Sequence, residues 1–353
     1  MRILAASSAF PPYHYSQKEL VEAFLRHWGD RLPDGRKLEL LHANVGVDHR
    51  YLSLPIDEYP ELTFGRANDV WLETAQTLGQ KAVQCALQRA GLQNTDPSAF
   101  FFVSVTGIAS PSIEARLINR MGLSRHLKRI PIFGLGCVAG AAGIARAADY
   151  VRAFPDQYAI LLSVELCSLT LQTGDLSVAN LISTGLFADG AAAVIVAGDD
   201  CPEPTTPLRG PAILGTKSTF YPDTERVMGW DISEKGFQIV LSPQVPDVIA
   251  QNLGGDMDGF LAEYDLTRKD IGCWVVHTGG PKVLRATQQA LALDDKALSV
   301  SWDCLRKMGN LSSSSVLMVL EEVMLHRRPQ PGTWSVLAAM GPGFCSELVL
   351  LRW

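Results

Sequence analysis

The stretch that most constrains the fold is residues 131–150, PIFGLGCVAGAAGIARAADY. An apolar, extended segment leads through Gly134 and Gly136 to Cys137, and small residues and good helix formers follow. This order predicts a strand, a tight turn and a helix that packs closely against its neighbours. Cys137 would then lie at the N terminus of the helix, where free N–H groups and the helix dipole favour the thiolate.

Two other interpretations of this stretch stay open. A free cysteine is most often a small, buried apolar residue without a chemical role. In addition, Gly134, Gly136 and Ala139 match the dinucleotide fingerprint G-x-G-x-x-A, which would make the protein an NAD(P)-binding oxidoreductase. That fingerprint requires an acidic residue about 20 positions further on, at the end of the next strand, and Glu165 follows the apolar run at 158–164.

Composition argues against several classes of function. The chain has 353 residues, of which 47% are hydrophobic and 19% charged, as in ordinary globular proteins. Its net charge is −6 and it has no basic stripe, so nucleic acid is not expected as a partner. No apolar run reaches the roughly 18 residues that span a bilayer. The N-terminal apolar run is short and ends at two prolines, so a signal peptide is not expected.

The cysteines indicate a reducing compartment. The seven cysteines are scattered and odd in number, and no two are arranged as C-x-x-C. This pattern argues against a disulfide framework and against a structural zinc site. The cytoplasm is therefore the expected location, and no metal is expected.

The chain also contains a weak internal repeat. Buried strands end at Thr106 and at His277, and a helix start follows each at similar spacing, at Cys137 and at Asn310. Each half then closes with an apolar strand, at 191–197 and at 347–351. We expect an α/β fold of two duplicated βαβ-type halves, stacked as α/β/α/β/α layers. Residues 199–207 lack periodicity and predict a linker between an N-terminal half, 1–200, and a C-terminal half, 208–353.

Three residues carry the predicted chemistry. Cys137 is the candidate nucleophile, and His277 stands at a strand end beside glycines that let the backbone approach a ligand. Asn310 begins a helix, where an asparagine is ordinarily a capping residue and needs no other role. A thiol, a base or donor, and an amide donor together suit acyl transfer through a thioester.

Six segments carry a family resemblance. They are PPYHYSQKEL (11–20), GLGC (134–137), GLFADGAAA (185–193), HTGGP (277–281), GNLSS (309–313) and GPG (341–343). In these segments and in their order along the chain, the sequence resembles the type III polyketide synthases, the chalcone-synthase-like family of the thiolase fold. The resemblance implies an acyltransferase that loads an acyl-CoA starter on Cys137, extends it by iterative decarboxylative Claisen condensation with malonyl-CoA, and cyclises the product.

The resemblance also implies roles for single residues. Cys137 would carry the acyl chain, His277 and Asn310 would bind the thioester carbonyl and the enolate, and Phe187 would help to orient malonyl groups. A neighbouring His277 would favour a thiolate–imidazolium pair and lower the pKa of Cys137. No cofactor is implied. A homodimer is implied, with the loop at 107–111 near the subunit contact.

The resemblance implies two candidate acyl donors. Lys37 matches one of the basic residues that bind the phosphates of CoA, whereas Leu40 and Asn44 stand where the family has further basic residues. Acyl-CoA and malonyl-CoA are the expected substrates, and an acyl carrier protein is a second candidate donor.

Six positions match the substrate cavity of the family: Phe187, Val105, Ser110, Cys167, Ile239 and Gly343. Ser110 replaces a methionine and Ile239 replaces a phenylalanine, which predicts an enlarged apolar cavity. Such a cavity favours a medium or long fatty acyl starter, and hence alkylpyrone or resorcinol-type products. Alternatively, the bulk of Phe237, Trp230 or Met228 fills the vacated space, and a short starter or malonyl itself is preferred.

Related enzymes remain as alternatives. A β-ketoacyl-carrier-protein synthase III shares this fold and triad but performs one condensation, and usually has an asparagine soon after its histidine, where this chain has Gly279, Gly280 and Pro281. A hydroxymethylglutaryl-CoA synthase would need a glutamate general acid, which the sequence does not place. A non-catalytic subunit of the same fold would have little need to keep all three residues.

Overall fold

The elements of the fold come from a computed structural model that describes residues 1–32, 35–202 and 210–353. The strands in these ranges are β1 (Arg2–Ala9), β2 (Tyr13–Ser16), β3 (His49–Leu52), β4 (Pro97–Ser104), β5 (Lys128–Phe133), β6 (Tyr158–Leu166), β7 (Asp189–Ala197), β8 (Ala212–Phe220), β9 (Met228–Ser233), β10 (Gly236–Leu241), β11 (Ile271–Val276), β12 (Trp334–Gly341) and β13 (Cys345–Arg352).

The helices in the same ranges are α1 (Gln17–Trp28), α2 (Gly35–Ala43), α3 (Phe64–Ala90), α4 (Ile113–Met121), α5 (Ala139–Ala153), α6 (Val178–Leu186), α7 (Val245–Ala262), α8 (Pro281–Leu291), α9 (Ser299–Met308) and α10 (Ser314–His326). No helix in the described part of the chain is both long and apolar enough to cross a membrane.

Nine strands form one mixed sheet in the order β11-β12-β13-β8-β1-β7-β6-β4-β5. In the first half, β4 and β6 are parallel, whereas β7 runs antiparallel to both β6 and β1. The second half repeats this arrangement, with β11 parallel to β12 and β13 antiparallel to both β12 and β8. The two halves meet where β1 pairs with β8. The predicted duplication is therefore confirmed, with β5 as an additional edge strand.

The layers follow from the alternation of side chains along the strands. On β4, Phe100 and Phe102 belong to a core cluster with α3, whereas Phe101 and Val103 belong to a second cluster with α5 and α10. The strands of the second half face the cluster of α5 and α10 on one side. On the other side they face a third cluster, which includes residues of α7 and α8. Because successive residues of a strand face opposite sides, α5 and α10 lie between the two half-sheets. This is the predicted α/β/α/β/α order.

Local signals place several helix ends where the sequence predicts them. Ser16 and Glu19 form the predicted capping box at the start of α1. Gly91 ends α3 in the left-handed conformation, with φ of 71°. Helix α9 and the central strand β1 were not predicted. Most of the predicted linker at 199–207, and the predicted start of the C-terminal half at 208, lie outside the described residues.

Candidate active site

Cys137 lies in a single 3-10 turn, Gly136–Val138, between β5 and α5. Gly136 has φ of 55°, and a Cβ there would come 2.7 Å from Cδ of Pro342, so this position favours glycine. At Gly140, the second residue of α5, a Cβ would come 2.2 Å from the carbonyl oxygen of Ser313. The small residues after the cysteine thus let α5 approach the start of α10, as the sequence predicts, and Cys137 is only 5% exposed.

Asn310 lies four residues before the first residue of α10 and is 2% exposed. Its Oδ1 accepts hydrogen bonds from the N–H of Ser312 at 2.8 Å and from the hydroxyl of Ser315 at 3.3 Å. The N-cap residue of α10 is Ser313, so the contact of Asn310 with the N–H two residues on is that of an Asx turn before the helix and not of a helix cap. The two hydrogen bonds fix the amide plane, which leaves Nδ2 as the group that can donate to a ligand.

His277 follows β11 and is 4% exposed. Its backbone N–H donates to the carbonyl of Ala338 on β12, at 3.0 Å. The hydroxyl of the next residue, Thr278, lies 3.5 Å from the carbonyl of Gly309, which precedes Asn310. The end of β12 packs on the cysteine turn, since a Cβ at Gly341 would come 2.6 Å from the backbone nitrogen of Val138. Strand β12 therefore connects the histidine segment to the cysteine segment.

Burial sets the protonation states of the thiol and the imidazole. It raises the pKa of Cys137 to about 12, although hydrogen bonding from Ser312 and Asn310 lowers it in part. Burial also lowers the pKa of His277 to about 4. The predicted lowering of the thiol pKa is therefore wrong. Both the thiol and the imidazole are neutral near pH 7, because removal from water outweighs the effect of the helix N terminus.

Ser312 is a further site residue that sequence reasoning missed. Its hydroxyl lies 3.7 Å from Sγ of Cys137, which is hydrogen-bonding range for sulfur. Ser312 has φ of 47°, an unusual backbone conformation for a residue other than glycine. The segment GNLSS carries the signal that could have identified it, because Ser312 stands two residues after Asn310.

Glu165 is fully buried close to this site. Its carboxylate accepts hydrogen bonds from the hydroxyl of Thr106 at 2.9 Å, from the N–H of Val105 at 3.1 Å, and from the hydroxyl of Ser313. Burial raises the pKa of Glu165 to about 7. All of these hydrogen bonds are internal, and through Thr106 and Ser313 they connect the first half of the chain with the second. This placement argues against the dinucleotide interpretation, in which Glu165 would have to reach a ribose.

A cavity of about 50 Å³ adjoins the site. Its lining consists of Phe24, Arg50, Leu52, Ile56, Tyr59, Cys167, Ser168, Thr170, Leu171, Asn180, Ser183, Thr184, Phe187, Trp230 and Ile239. Phe187 connects this cavity with the site, because it forms an isolated β-bridge with Asn310. Burial raises the pKa of Cys167 well above its ordinary value, and the nearby carboxyl groups of Glu165 and Asp189 contribute to that shift.

The structure separates the six predicted cavity residues into two groups. Phe187, Cys167 and Ile239 line the cavity. Three others lie outside its lining. Val105 is buried against Glu165, Ser110 is on an exposed loop, and Gly343 is in the turn between β12 and β13.

Ile239 has a bulky neighbour in the cavity wall. It lies on β10 and pairs directly with Trp230 on β9, and both line the cavity. The indole ring of Trp230 in turn packs edge-on against Phe237, with ring centroids 6.2 Å apart. This arrangement favours the alternative that the sequence left open, in which neighbouring bulk limits the space beside Ile239.

Lys37 lies on the exposed face of α2. Leu40 on the same helix is 63% exposed, and Asn44 follows it with its Nδ2 bonded to the carbonyl of Leu40 at 2.7 Å. Helix α2 packs on α6, which leads to Phe187. Lys37 is therefore a cation at the surface above the site. In the described residues, no three His, Cys, Asp or Glu side chains come together in a way that could hold a metal ion.

Two family models cover nearly all of the chain: the N-terminal domain of chalcone and stilbene synthases matches residues 1–200, and the C-terminal domain matches residues 213–353. A 1,3,6,8-tetrahydroxynaphthalene synthase of Streptomyces peucetius subsp. caesius is 49% identical over 99% of this chain and 93% of its own length. A 3,5-dihydroxyphenylacetyl-CoA synthase of Streptomyces toyocaensis is 32% identical over 100% of this chain and 90% of its own.

The structural comparison agrees with the sequence comparison. The crystal structure of 1,3,6,8-tetrahydroxynaphthalene synthase from Streptomyces coelicolor A3(2), a bacterial type III polyketide synthase, superposes with a TM-score of 0.94. The match covers 100% of this chain and 99% of that one, at 32% identity. The thiolase-like fold expected from the sequence is therefore confirmed.

Proposed function

The chain belongs to the chalcone and stilbene synthase family and is a type III polyketide synthase, an acyl-transferring condensing enzyme, and we propose that it builds a compact aromatic polyketide from a short starter and malonyl-CoA. The observation that carries the proposal is the contact between the two halves. A buried thiol from the first half and an oriented amide from the second lie together, beside a small cavity.

In the loading step, Cys137 attacks the thioester carbonyl of the starter acyl-CoA. The thiol proton passes to the neutral imidazole of His277, a carbon–sulfur bond forms to Cys137, and the bond to CoA sulfur breaks. The CoA thiolate then takes the proton and leaves. Because both groups are neutral at rest, the ion pair forms only with a substrate in place, where the buried surroundings strengthen the attraction between the opposite charges.

In the extension step, malonyl-CoA loses carbon dioxide and becomes an enolate. Asn310 Nδ2 and a ring N–H of His277 donate hydrogen bonds to the enolate oxygen, and each such donor contributes about 3 kcal/mol in comparable sites. The enolate carbon attacks the acyl carbonyl carbon. A carbon–carbon bond forms, the bond to Cys137 sulfur breaks, and Cys137 is released as a thiolate. Transfer of the lengthened chain back to Cys137 would allow the next round.

The cavity supports a short starter. The wall beside Ile239 carries the bulky indole of Trp230, which reduces the room for a long alkyl chain. The two relatives named for 1,3,6,8-tetrahydroxynaphthalene make a bicyclic ring skeleton without an alkyl side chain. Each of its rings carries two hydroxyl groups in the resorcinol arrangement. We therefore favour a resorcinol-type product from an acetyl or malonyl starter over an alkylpyrone.

Several further features belong to this proposal. Lys37 would bind a CoA phosphate, and an acyl carrier protein remains the second candidate donor.

A homodimer with its contact near residues 107–111 is supported by the exposure of Ile108, at 47%, on that loop. The division into halves at 1–200 and 208–353 is supported by the repeated strand pattern. The cytoplasm is supported by seven cysteines that are all free.

Mass spectrometry of the intact protein tests the function. Incubation with acetyl-CoA or malonyl-CoA should add one acyl group, located on the peptide that contains Cys137, and malonyl-CoA should give an aromatic product. Cys137→Ala should retain the fold and lose both. A single condensation without further extension would instead indicate a β-ketoacyl synthase III-like activity, and the absence of any adduct on Cys137 would refute the proposal.

A further inference from the structure

Arg50 is a buried cation in the wall of the cavity. It lies on β3, is 2% exposed, and contributes to the lining together with Phe187 and Cys167. Among the described residues of that lining it is the only charged one. Burial lowers the pKa of Arg50 to about 10, so the guanidinium stays charged at neutral pH. A buried charge is costly unless it is paired.

One edge of the guanidinium lacks a partner. Nη1 donates to the carbonyl of Phe187 at 2.5 Å. Nε and Nη2 are buried and have no hydrogen-bond partner among the described residues. These two nitrogens form one edge of the guanidinium fork, whose two parallel N–H groups match the two oxygens of a carboxylate. Since buried donors in proteins are usually paired, this edge marks the place of a bound group.

Asp189 does not fill this place, although it is close enough to raise the pKa of Arg50. Its carboxylate accepts hydrogen bonds from the backbone N–H and the hydroxyl of Ser53, and from the same two groups of Ser168. Asp189 is thus held by neutral donors and leaves Nε and Nη2 of Arg50 unpaired. A ligand with a carboxylate would complete both nitrogens in one contact.

We infer that Arg50 is a carboxylate-binding subsite for the far end of the acyl group on Cys137. The inference rests on the proposed function and adds a substrate class to it: a short dicarboxylic starter, such as a malonyl group that keeps its carboxylate. Loading follows the same exchange, in which the bond to Cys137 sulfur forms, the bond to CoA sulfur breaks, and CoA leaves with the proton of the thiol.

The charge of Arg50 suits a starter better than an extender. Decarboxylation moves negative charge out of the carboxylate, so a cation that binds the carboxylate stabilises the ground state and slows its loss. A malonyl group whose carboxylate lies against Arg50 is therefore protected. An extender must lose its carboxylate, which requires a position away from this cation.

The test compares two acyl groups of equal size. Succinyl carries a terminal carboxylate that this enzyme cannot remove, because the resulting carbanion would not be conjugated to the thioester. The 4-methylpentanoyl group has the same heavy-atom skeleton, with two methyl groups in place of the two oxygens. The rates at which succinyl-CoA and 4-methylpentanoyl-CoA acylate Cys137 are measured by mass spectrometry in wild type, Arg50→Gln and Arg50→Lys. Arg152→Gln, which removes an exposed arginine on α5, is the control.

Arg50→Gln should slow succinyl transfer at least tenfold and change 4-methylpentanoyl transfer less than twofold, as expected for the loss of hydrogen bonds to a charged group. Arg50→Lys, which keeps the charge without the two-nitrogen edge, should give an intermediate ratio. Arg152→Gln should change neither. Equal slowing of both groups would show that Arg50 only holds the Phe187 backbone, and an unchanged ratio would show that the free edge binds cavity water. Either result overturns the inference.

A binding measurement covers the case in which the Arg50 variants do not fold. In Cys137→Ala, which cannot be acylated, succinyl-CoA should bind at least tenfold more tightly than 4-methylpentanoyl-CoA in titration calorimetry. Equal affinities would overturn the subsite without touching the proposed function. Failure of every acyl-CoA, acetyl-CoA included, to acylate wild-type Cys137 would instead overturn the proposed function and the subsite with it.

Discussion

Asn310 and Phe187 form a parallel β-bridge between the two halves of the chain. The N–H of Asn310 donates to the carbonyl of Leu186, and the N–H of Ala188 donates to the carbonyl of Asn310, both at 2.9 Å. Phe187 follows α6 in the first half, and Asn310 precedes α10 in the second. The backbone therefore fixes the position of the amide relative to the aromatic ring and to the cavity behind it.

The side-chain contacts of Asn310 allow its structural role to be separated from its proposed catalytic role. Asn310→Asp keeps an oxygen for the N–H of Ser312 and the hydroxyl of Ser315, and these bonds favour its ionised form. It replaces the Nδ2 donor with a carboxylate oxygen, which can only accept hydrogen bonds and repels the developing enolate. We expect malonyl-CoA decarboxylation to fall about 100-fold or more, with a melting temperature near that of wild type.

Asn310→Ala serves as the comparison. It removes the acceptor as well, so the buried N–H of Ser312 loses its partner at a cost of about 1–3 kcal/mol. We expect a similar loss of decarboxylation together with a lower melting temperature. Full activity in Asn310→Asp would mean that Asn310 only orders the turn before α10 and donates no hydrogen bond to the substrate.

Cys137, His277 and Asn310 could be singled out from the sequence because each stands near a boundary between elements. Cys137 and Asn310 follow glycines at helix starts, and His277 ends a buried strand. Such boundaries are set by local signals. The protonation states could not be predicted, because the burial of Cys137 and His277 arises from packing between halves that are distant in sequence. Dipole and neighbour arguments gave the wrong direction for the thiol pKa.

The reactivity of Cys137 toward iodoacetamide reports this pKa. With a pKa of about 12, the thiolate fraction rises with pH across the neutral range. We expect the alkylation rate of Cys137, followed on its peptide by mass spectrometry, to increase about tenfold per pH unit from pH 7 to 9. Cys137→Ser provides the background from the other six cysteines. A rate that is already constant at pH 6–8 would instead indicate a standing thiolate–imidazolium pair.

Glu165 should make the folded state less stable as pH rises. Its pKa is about 7 in the folded protein, against 4.5 as its ordinary value. Between these values the folded state holds a proton that the unfolded state has lost, so the free energy of unfolding falls with rising pH. Glu165→Gln mimics the protonated form and should remove this dependence, which amounts to up to about 3 kcal/mol.

Urea unfolding of wild type and Glu165→Gln at pH 5 and pH 8 measures this difference. Compared with pH 5, the free energy of unfolding of Glu165→Gln at pH 8 should be higher relative to that of wild type. Glu22→Gln, at an exposed position on α1, is the control and should follow wild type at both values. A difference between the two proteins that does not change with pH would show that Glu165 is ionised in the folded protein at both.

The size of the cavity could not be predicted from the sequence for a different reason. The effect of one substitution on the cavity volume depends on which side chain stands opposite it in the folded protein. The register of β9 and β10 pairs Ile239 with Trp230, and register is a tertiary property. Arg50 was missed likewise, because a single arginine in a four-residue strand carries no pattern that distinguishes a cavity wall from a solvent face.

Trp230→Ala tests whether this indole limits the starter. Its removal would open the wall beside Ile239 and expose apolar surface that an alkyl chain can cover. Each additional buried methylene contributes about 0.8 kcal/mol, which corresponds to roughly a fourfold gain. We expect wild type to prefer acetyl-CoA over hexanoyl-CoA in kcat/KM, and Trp230→Ala to shift the ratio at least tenfold toward hexanoyl-CoA. Ile232→Ala, at an exposed position on the same strand, should leave the ratio unchanged. Were wild type to prefer hexanoyl-CoA, the indole would not set the limit, and the larger cavity first predicted from Ser110 and Ile239 would have to form in a conformation other than this one.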